Sequence, residues 1–225
     1  MKDNMSCEEV MRGLIGVWAD FSARVDETPL IAKLLRSKFR LEDYKEFLIN
    51  HRQQVIEGGR WIARAASSID NRYADIRSDF LKHCLAEHKD FRMLESNYVS
   101  VGGTLADIQN AEKNIGTEAL SAFMFHRASQ PNPFDMLGAM FIIEGLGQKK
   151  AGEWGRAIQS QLSLEDDQVS FLLYHAVHDE AHMDEFAEVL SSGILDIPQM
   201  GYNLVKTAKI TARLYQLQIE EAGHF

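Results

Sequence analysis

Apolar residues recur every three or four positions along almost the whole chain, which is the period of an amphipathic helix. Val10, Leu14, Val17 and Phe21 form one such stripe and predict an opening helix. The same period predicts further helices that start at Pro29 and at Leu41, cover about 73–100, lie within 104–130, cover about 134–161, extend from 163 to 192, and follow Pro198. No segment alternates apolar and polar residues in the manner of a strand. The pattern therefore predicts an all-α chain of about seven or eight helices.

Turn-forming residues fall between these predicted helices. All four prolines lie at junctions, and Gly102 with Gly103 ends the segment over 73–100. No low-complexity linker divides the 225 residues, and a chain of this length buries roughly 70% of its unfolded surface in one domain. We therefore predict a single helical domain over residues 1–225.

Charge and composition exclude several classes of protein. The chain has 24 basic and 33 acidic residues and a net charge of −9, which disfavours binding to nucleic acid. No apolar run approaches the ~20 residues that a membrane span needs, and the first residues lack the apolar core of a signal peptide. The two cysteines, Cys7 and Cys84, are far apart in sequence and suggest no disulfide framework. These features predict a cytoplasmic protein.

One spacing of histidine and acidic residues occurs twice, with offsets of four and seven positions: His83, Glu87 and Asp90 in the first copy, and His175, Asp179 and His182 in the second. On a helix, these offsets return to within about 40° of the starting direction, so each set is predicted to share one face. Glu144 lies between the two sets and is the only acid in the apolar run 139–146. We therefore predict that three helices direct acids or imidazoles inward.

A metal centre would explain this crowding of acids. Burying a carboxylate costs several kcal/mol unless the group is protonated, paired or bound to a metal. Two divalent ions would neutralise the acids, and oxygen and nitrogen ligands without thiolate favour iron or manganese over structural zinc. Helical bundles build di-iron sites in this way. The alternative interpretation is a pair of helices with hydrogen-bonded polar faces and no metal.

The ligand pattern of the heme-oxygenase-like di-metal oxidases and oxygenases is similar to a set in this sequence: Glu87-x2-Asp90, Glu144 and His175-x3-Asp179-x2-His182. These non-haem enzymes share the all-α fold of heme oxygenase, the thiaminase-type proteins and pyrroloquinoline quinone synthase. The resemblance implies a heme-oxygenase-like helical bundle with a di-iron site. It further implies two Fe(II) ions as cofactor, with manganese as the alternative metal, and O2 as cosubstrate.

The resemblance also assigns roles to individual residues. It implies that Glu87, Glu144 and His175 bind one iron. Asp179 and His182 would bind the other, with Glu144 or Glu87 as the bridge.

Asp90 and His83 are second-tier candidates for metal ligands. Histidine is usual in the family at the position matched to Asp90, so this chain departs from the pattern there. His83, one turn earlier, is the alternative ligand at that iron. His178 is close enough in helical phase to replace a ligand, whereas His88 is predicted to point away.

The activity implied by the resemblance is O2-dependent oxidation of a small metabolite in specialised metabolism. An amino-acid-derived substrate is the first expectation, because this chemistry is the commoner one among the resembling proteins. Arg52, Arg60 or Arg64 could also hold a substrate carboxylate, although exposure to solvent is the favoured interpretation for each of them. The reactions implied are N-oxidation, oxidative C–C cleavage or nitrile formation, and fatty-acid decarboxylation is the alternative on the same fold. An external electron donor and a homodimer are both compatible with this interpretation. Six aromatic residues are candidates for the pocket lining: Trp61, Phe123, Phe125, Phe141, Trp154 and Phe171.

Other functions are compatible with parts of the pattern. A ferritin-like di-iron bundle would use Glu57 as its first ligand. A thiaminase-type hydrolase would need a cysteine about five residues before Glu144, and that stretch has none. A haem enzyme of this fold needs an early axial histidine, and no histidine precedes His51. A metal-free helical binding protein stays an alternative, because a fold does not determine a function.

Overall fold

The computed structural model describes residues 4–222, apart from the side chains of 179–185 and 187. Within this part of the chain the regular structure is helical, and the all-α prediction is confirmed. The helices are α1 (Cys7–Glu27), α2 (Pro29–Leu35), α3 (Leu41–Ser67), α4 (Ala74–Glu87), α5 (Phe91–Ser100), α6 (Leu105–Asn110), α7 (Ile115–Ala128), α8 (Met136–Leu146), α9 (Gly152–Leu162), α10 (Ser170–Ser191) and α11 (Met200–Glu220). A π-helical turn, Gly147–Ala151, joins α8 to α9.

Local sequence signals account for several helix ends. Ser6 and Glu9 form a capping box at the start of α1, in which each side chain accepts from the other residue's backbone N–H. Pro29 occupies the first turn of α2, where its missing N–H costs nothing. Gly102 follows α5 with φ +82°, and Gly193 follows α10 with φ +94°. Both are left-handed conformations that glycine adopts without strain.

Two long helices organise the core. Helix α3 packs against α4, α5 and α7, and helix α11 packs against α1, α7 and α8. Helix α10 packs against α8, α9 and the π-helical turn between them. The predicted stripe of α1, from Val10 to Phe21, is buried and faces α11 and α8. Among the described residues, no helix is long and apolar enough to cross a membrane.

The predicted helix over 73–100 is divided into α4 and α5. The backbone at 87–90 tightens, so that Asp90 N–H donates to Glu87 C=O at 3.2 Å, three residues back instead of four. No glycine or proline marks this turn in the sequence, which is why the pattern predicted one continuous helix. The turn changes the direction of Asp90 relative to His83 and Glu87.

Candidate metal centre

His175 lies on α10 with one ring nitrogen fixed by its own helix. Nδ1 lies 2.9 Å from the carbonyl oxygen of Phe171, one turn earlier. A carbonyl oxygen only accepts, so Nδ1 carries the proton and donates it. In the neutral form of the ring, the lone pair is then on Nε2, which is the arrangement of a metal-binding histidine.

Two carboxylates face this nitrogen. His175 Nε2 lies 3.2 Å from Asp90 Oδ2 and 3.9 Å from Glu87 Oε2. One potential ligand atom from each of the three residues lies within 4.8 Å of the others. Asp90 and His175 are both about 8% exposed, so bulk water does not screen the group. The second-tier candidate Asp90 is thus brought together with Glu87 and His175.

The chemistry of these atoms fits a bound cation. Asp90 Oδ2 is buried and makes no hydrogen bond to the described residues, even though His175 Nε2 lies within ion-pair distance. An acceptor nitrogen and two anionic oxygens facing each other repel unless a proton or a metal lies between them. Two ligands at right angles, each about 2.1 Å from one ion, are about 3 Å apart, close to the observed nitrogen–oxygen separation. The donor set of one imidazole and two carboxylates suits iron or manganese.

His83 and Glu144 form a second pair beside this group. His83 Nε2 on α4 lies 3.3 Å from Glu144 Oε1 on α8, and both side chains are less than a tenth exposed. Glu144 is therefore buried in the apolar run, as the sequence predicted. Within the described residues, His83 does not belong to the group of Glu87, Asp90 and His175, and its ring faces Glu144 on α8.

A glycine on α3 makes room for that turn. A Cβ built on Gly59 would lie 2.7 Å from His88 Cβ and 2.9 Å from His88 Cα, closer than real contacts allow. The α4–α5 junction can therefore rest on α3 only because residue 59 has no side chain. Asp90 takes the N-cap position of α5, yet its side chain makes no capping hydrogen bond. Its carboxylate is directed to His175 instead.

The remaining candidate residues lie elsewhere. The backbone of α10 passes through positions 179 and 182, but the side chains of Asp179 and His182 lie outside the described residues. His88 and His178 are exposed, and His178 stacks on Tyr174 with ring centroids 3.7 Å apart.

Glu57, the additional ligand of the ferritin-like alternative, is paired with two basic residues. It bonds to Arg60 and Lys113, each at 2.8 Å, and does not join the acids described above. The ferritin-like order of ligands is therefore not assembled.

A cavity of about 90 Å³ adjoins both groups of ligands. His83, Glu87, Glu144 and His175 line one part of it. The rest of the lining is mainly aromatic and aliphatic, with contributions from Phe47, Trp61, Met124, Met140, Trp154 and Phe171. Of the six predicted aromatic residues, Trp61, Trp154 and Phe171 line this cavity. An apolar cavity with a few polar groups is typical of a small-molecule site.

None of Arg52, Arg60 and Arg64 lines the cavity, so the structure does not support them as a clamp for a substrate carboxylate. Arg52 is buried and donates twice to Glu95, at 3.0 and 2.8 Å. Arg60 pairs with Glu57, and Arg64 bonds to the hydroxyl of Ser129 at 2.9 Å. Among the described residues, no arginine or lysine lines the cavity. A salt-bridged arginine is already neutralised, which the sequence alone does not show.

His51 and Gln54 on α3 were missed by the sequence analysis. Both line the cavity. The ring of His51 stacks on Phe47 with centroids 5.1 Å apart. Burial, assisted by the nearby His175, lowers the pKa of His51 to about 3, so the ring is neutral at physiological pH. Phe47, His51 and Gln54 are spaced by four and three residues, so they share one face of α3. This spacing was the signal in the sequence that could have identified His51 and Gln54.

Comparisons with known proteins identify both the fold and a family. The sequence model of a family described as iron-containing redox enzymes matches residues 45–216. A domain of unknown function with a heme oxygenase-like fold from Shewanella denitrificans is similar over 98% of this chain and 93% of its own, with a TM-score of 0.86 and 18% identity. The predicted heme-oxygenase-like bundle is thereby confirmed. No curated protein matches the sequence.

Two further solved structures share the fold. A TenA homolog from Pseudomonas syringae has a TM-score of 0.78 and 18% identity, over 100% of this chain and 98% of its own. A TenA homologue from P. horikoshii has a TM-score of 0.72 and 12% identity, over 96% and 98%. At these identities the similarity concerns the fold alone.

Proposed function

Since the chain belongs to the family of iron-containing redox enzymes, matched over residues 45–216, we propose that it is a non-haem di-iron oxidase or oxygenase. It would use O2 to oxidise a small organic metabolite. The observation that supports this most is the set of Glu87, Asp90 and His175, whose ligand atoms lie within 4.8 Å of each other. The pair of His83 and Glu144 beside it supplies donors toward a second ion.

The candidate ligands would hold the two metal ions from opposite sides. His175 offers the unprotonated Nε2, since Nδ1 is held by Phe171. Glu87 and Asp90 supply negative charge on the same side, and Glu144 with His83 supplies an oxygen and a nitrogen on the other. Asp179 and His182 complete the proposed ligand set. Bound iron would supply the electrons for reduction of O2.

The cavity would hold the organic substrate next to these residues. Its apolar lining excludes water from the reacting groups and accommodates a hydrocarbon or aromatic body. An amino-acid-derived metabolite stays the first proposal for the substrate, with its charged groups directed to the metal residues instead of to an arginine. The mainly apolar lining makes a fatty acid, oxidised with decarboxylation, the second candidate.

A cysteine-dependent hydrolase on this fold has no support in the site. Neither cysteine lines the cavity. Cys7 is exposed on α1, and the thiol of Cys84 donates to the carbonyl oxygen of Gly59 at 3.2 Å. Burial raises the pKa of the Cys84 thiol, which makes it a poor nucleophile.

Iron loading of matched variants tests the proposal. After anaerobic loading with Fe(II) and removal of excess metal, the wild-type chain should retain about two irons. His175→Ala should retain fewer than half as many, because loss of one imidazole weakens the site at least about tenfold. His178→Ala removes an exposed histidine from the same helix and should bind iron like the wild type.

Oxygen consumption by the loaded proteins then tests the activity. A panel of amino acids and fatty acids should contain a compound that accelerates O2 uptake by wild type and His178→Ala but not by His175→Ala. Failure of the wild type to retain iron, or full iron and activity in His175→Ala, would reject the proposed site.

A further inference from the structure

Two buried polar atoms in the cavity wall, one from Gln54 and one from Trp154, have no hydrogen-bond partner in the described part of the chain. Gln54 is 3% exposed and Trp154 is 2% exposed, and both side chains line the cavity. Among the described residues, neither Gln54 Oε1 nor Trp154 Nε1 makes a hydrogen bond. Buried polar atoms in folded proteins are almost always bonded, so two exceptions in one cavity require an explanation.

The two groups come from different helices and line the same cavity as the candidate metal ligands. Gln54 lies on α3, three residues after His51 and on the same face, whereas Trp154 lies on α9. The ring of Phe171 connects this region to the proposed metal centre, with centroids 5.2 Å from His51 and 4.2 Å from His175. A ligand in the cavity can therefore contact these polar groups and the metal residues together.

We propose that His51, Gln54 and Trp154 form a subsite for an uncharged, hydrogen-bonding group of the organic substrate, namely a hydroxyl or a carboxamide. This inference rests on the proposed function, because it takes the occupant of the cavity to be the substrate. The apolar body of the substrate then packs against Phe47 and Met124.

The chemistry of the three side chains selects that class of group. The indole of Trp154 only donates, so its partner must accept. Gln54 Oε1 only accepts, so its partner must donate, and a neutral His51 can do either. A hydroxyl or a carboxamide does both. A carboxylate only accepts and would find no basic partner in the described lining.

A plain hydrocarbon chain fits the subsite poorly. It would leave Gln54 and Trp154 buried without hydrogen bonds in the bound state as in the free state. The subsite therefore separates the two substrate candidates, and favours a metabolite with a polar substituent over an unsubstituted fatty acid. The competing explanation is an ordered water that bonds to Gln54 and Trp154 in the free protein. Thermal unfolding of Gln54→Met tests for that water.

A pair of isosteric probes tests the subsite. Benzyl alcohol and ethylbenzene differ by a hydroxyl in place of a methyl group, and their dissociation constants can be measured by calorimetry on the full chain. In Trp154→Phe and Gln54→Met, the preference for benzyl alcohol over ethylbenzene should fall about tenfold relative to wild type, which corresponds to about 1.4 kcal/mol. Met124→Leu changes the same cavity without touching a polar group and should keep the wild-type preference.

The inference is overturned if wild type does not bind benzyl alcohol, or if the preference stays within about twofold in both polar variants. Thermal unfolding gives a second readout: Gln54→Met should unfold at the wild-type temperature or above, because it removes an unsatisfied polar group. A lowered unfolding temperature would mean that Gln54 is bonded in the free protein and has a structural role.

Titrations with and without Fe(II) separate this inference from the proposed function. A preference that depends on Gln54 and Trp154 in a chain that retains no iron would support the subsite and reject the oxidase. Iron binding with an unchanged preference in both variants would support the oxidase and reject the subsite.

Discussion

His51 illustrates how much one buried side chain contributes to the behaviour of the site. Its ring is enclosed by Phe47, Phe171 and Tyr215, with centroids between 5.1 and 6.3 Å away. Burial is the main reason why its pKa falls from 6.5 to about 3, and the positive charge that His175 can carry adds to it. The unfolded chain therefore binds a proton at pH 4–6 that the native protein does not.

The stability of the protein should consequently depend on pH through His51. Because the native pKa is lowered, the contribution is complete above pH 6.5 and is lost as the pH falls toward 3. His51→Phe keeps a stacked ring but cannot titrate. Between pH 6 and pH 4, its free energy of unfolding should fall less steeply than that of wild type, by roughly 1 kcal/mol per pH unit. Urea unfolding at several pH values measures this.

The exposed His126 provides the control for that measurement. His126→Phe makes the same substitution at a solvent-exposed histidine and should show the wild-type slope. Equal slopes for wild type and His51→Phe would show that the ring takes up its proton in the folded protein.

At the scale of single residues, the sequence predicted which side chains are buried acids better than it predicted which side chains they contact. Glu144 was identified as a buried acid from its apolar neighbours alone, and the structure places it beside His83. Which acid faces which histidine depends on packing between helices, so the grouping of Asp90 with His175 was not predictable from spacing. The contacts of the arginines were not predictable for the same reason. Arg52 bonds to Glu95, which is 43 residues away in sequence, and not to a group in the cavity.

At the scale of helices, two adjacent glycines of α3 have opposite roles. Gly58 lines the cavity, and a Cβ there would meet nothing within 4 Å. Gly59 supports the α4–α5 junction, where a Cβ would overlap His88. The sequence alone does not distinguish these two glycines, because both lie within one predicted helix.

Alanine at each position should therefore change stability in opposite directions. Gly58→Ala should raise the free energy of unfolding by about 0.5–1 kcal/mol, because alanine favours the helix and the space is open. Gly59→Ala should lower it by about 1–3 kcal/mol, the cost of overpacking, and should also weaken iron binding by displacing Asp90. Chemical unfolding and iron retention of the two variants check both signs. A stable Gly59→Ala with normal iron content would contradict the role given to the junction.

At the scale of the whole molecule, the proposed metal joins helices that are distant in sequence. The candidate ligands come from α4, the α4–α5 junction, α8 and α10. An ion bound to all of them stabilises only the folded chain, because the unfolded chain does not preserve the arrangement. Binding should therefore raise the unfolding temperature.

Anaerobic Fe(II) at about 100 times its dissociation constant should stabilise the protein by about 2.7 kcal/mol. For a chain of this size, that corresponds to an increase in Tm of roughly 5–10 °C. A chelator should reverse the increase, and His175→Ala should reduce it strongly. Scanning calorimetry with and without metal tests this, and a Tm that Fe(II) leaves unchanged in the wild type would contradict it.

The order of the helices was predictable because each apolar stripe repeats with the helical period. The division at 87–90 was not, because the residue that permits it, Gly59, lies on another helix. The cavity follows from the same packing, and so do the unsatisfied groups in its wall. Local propensity thus accounts for the bundle, whereas the site depends on contacts across it.

The contact between Gly59 and His88 also has a consequence for inheritance. A methyl group at position 59 would overlap His88, so the junction would have to shift, and we expect the carboxylate of Asp90 to move away from His175 with it. Residues 59 and 90 are therefore expected to change together. In descendants of this gene, loss of the glycine should be accompanied by replacement of Asp90 with a longer or differently placed ligand.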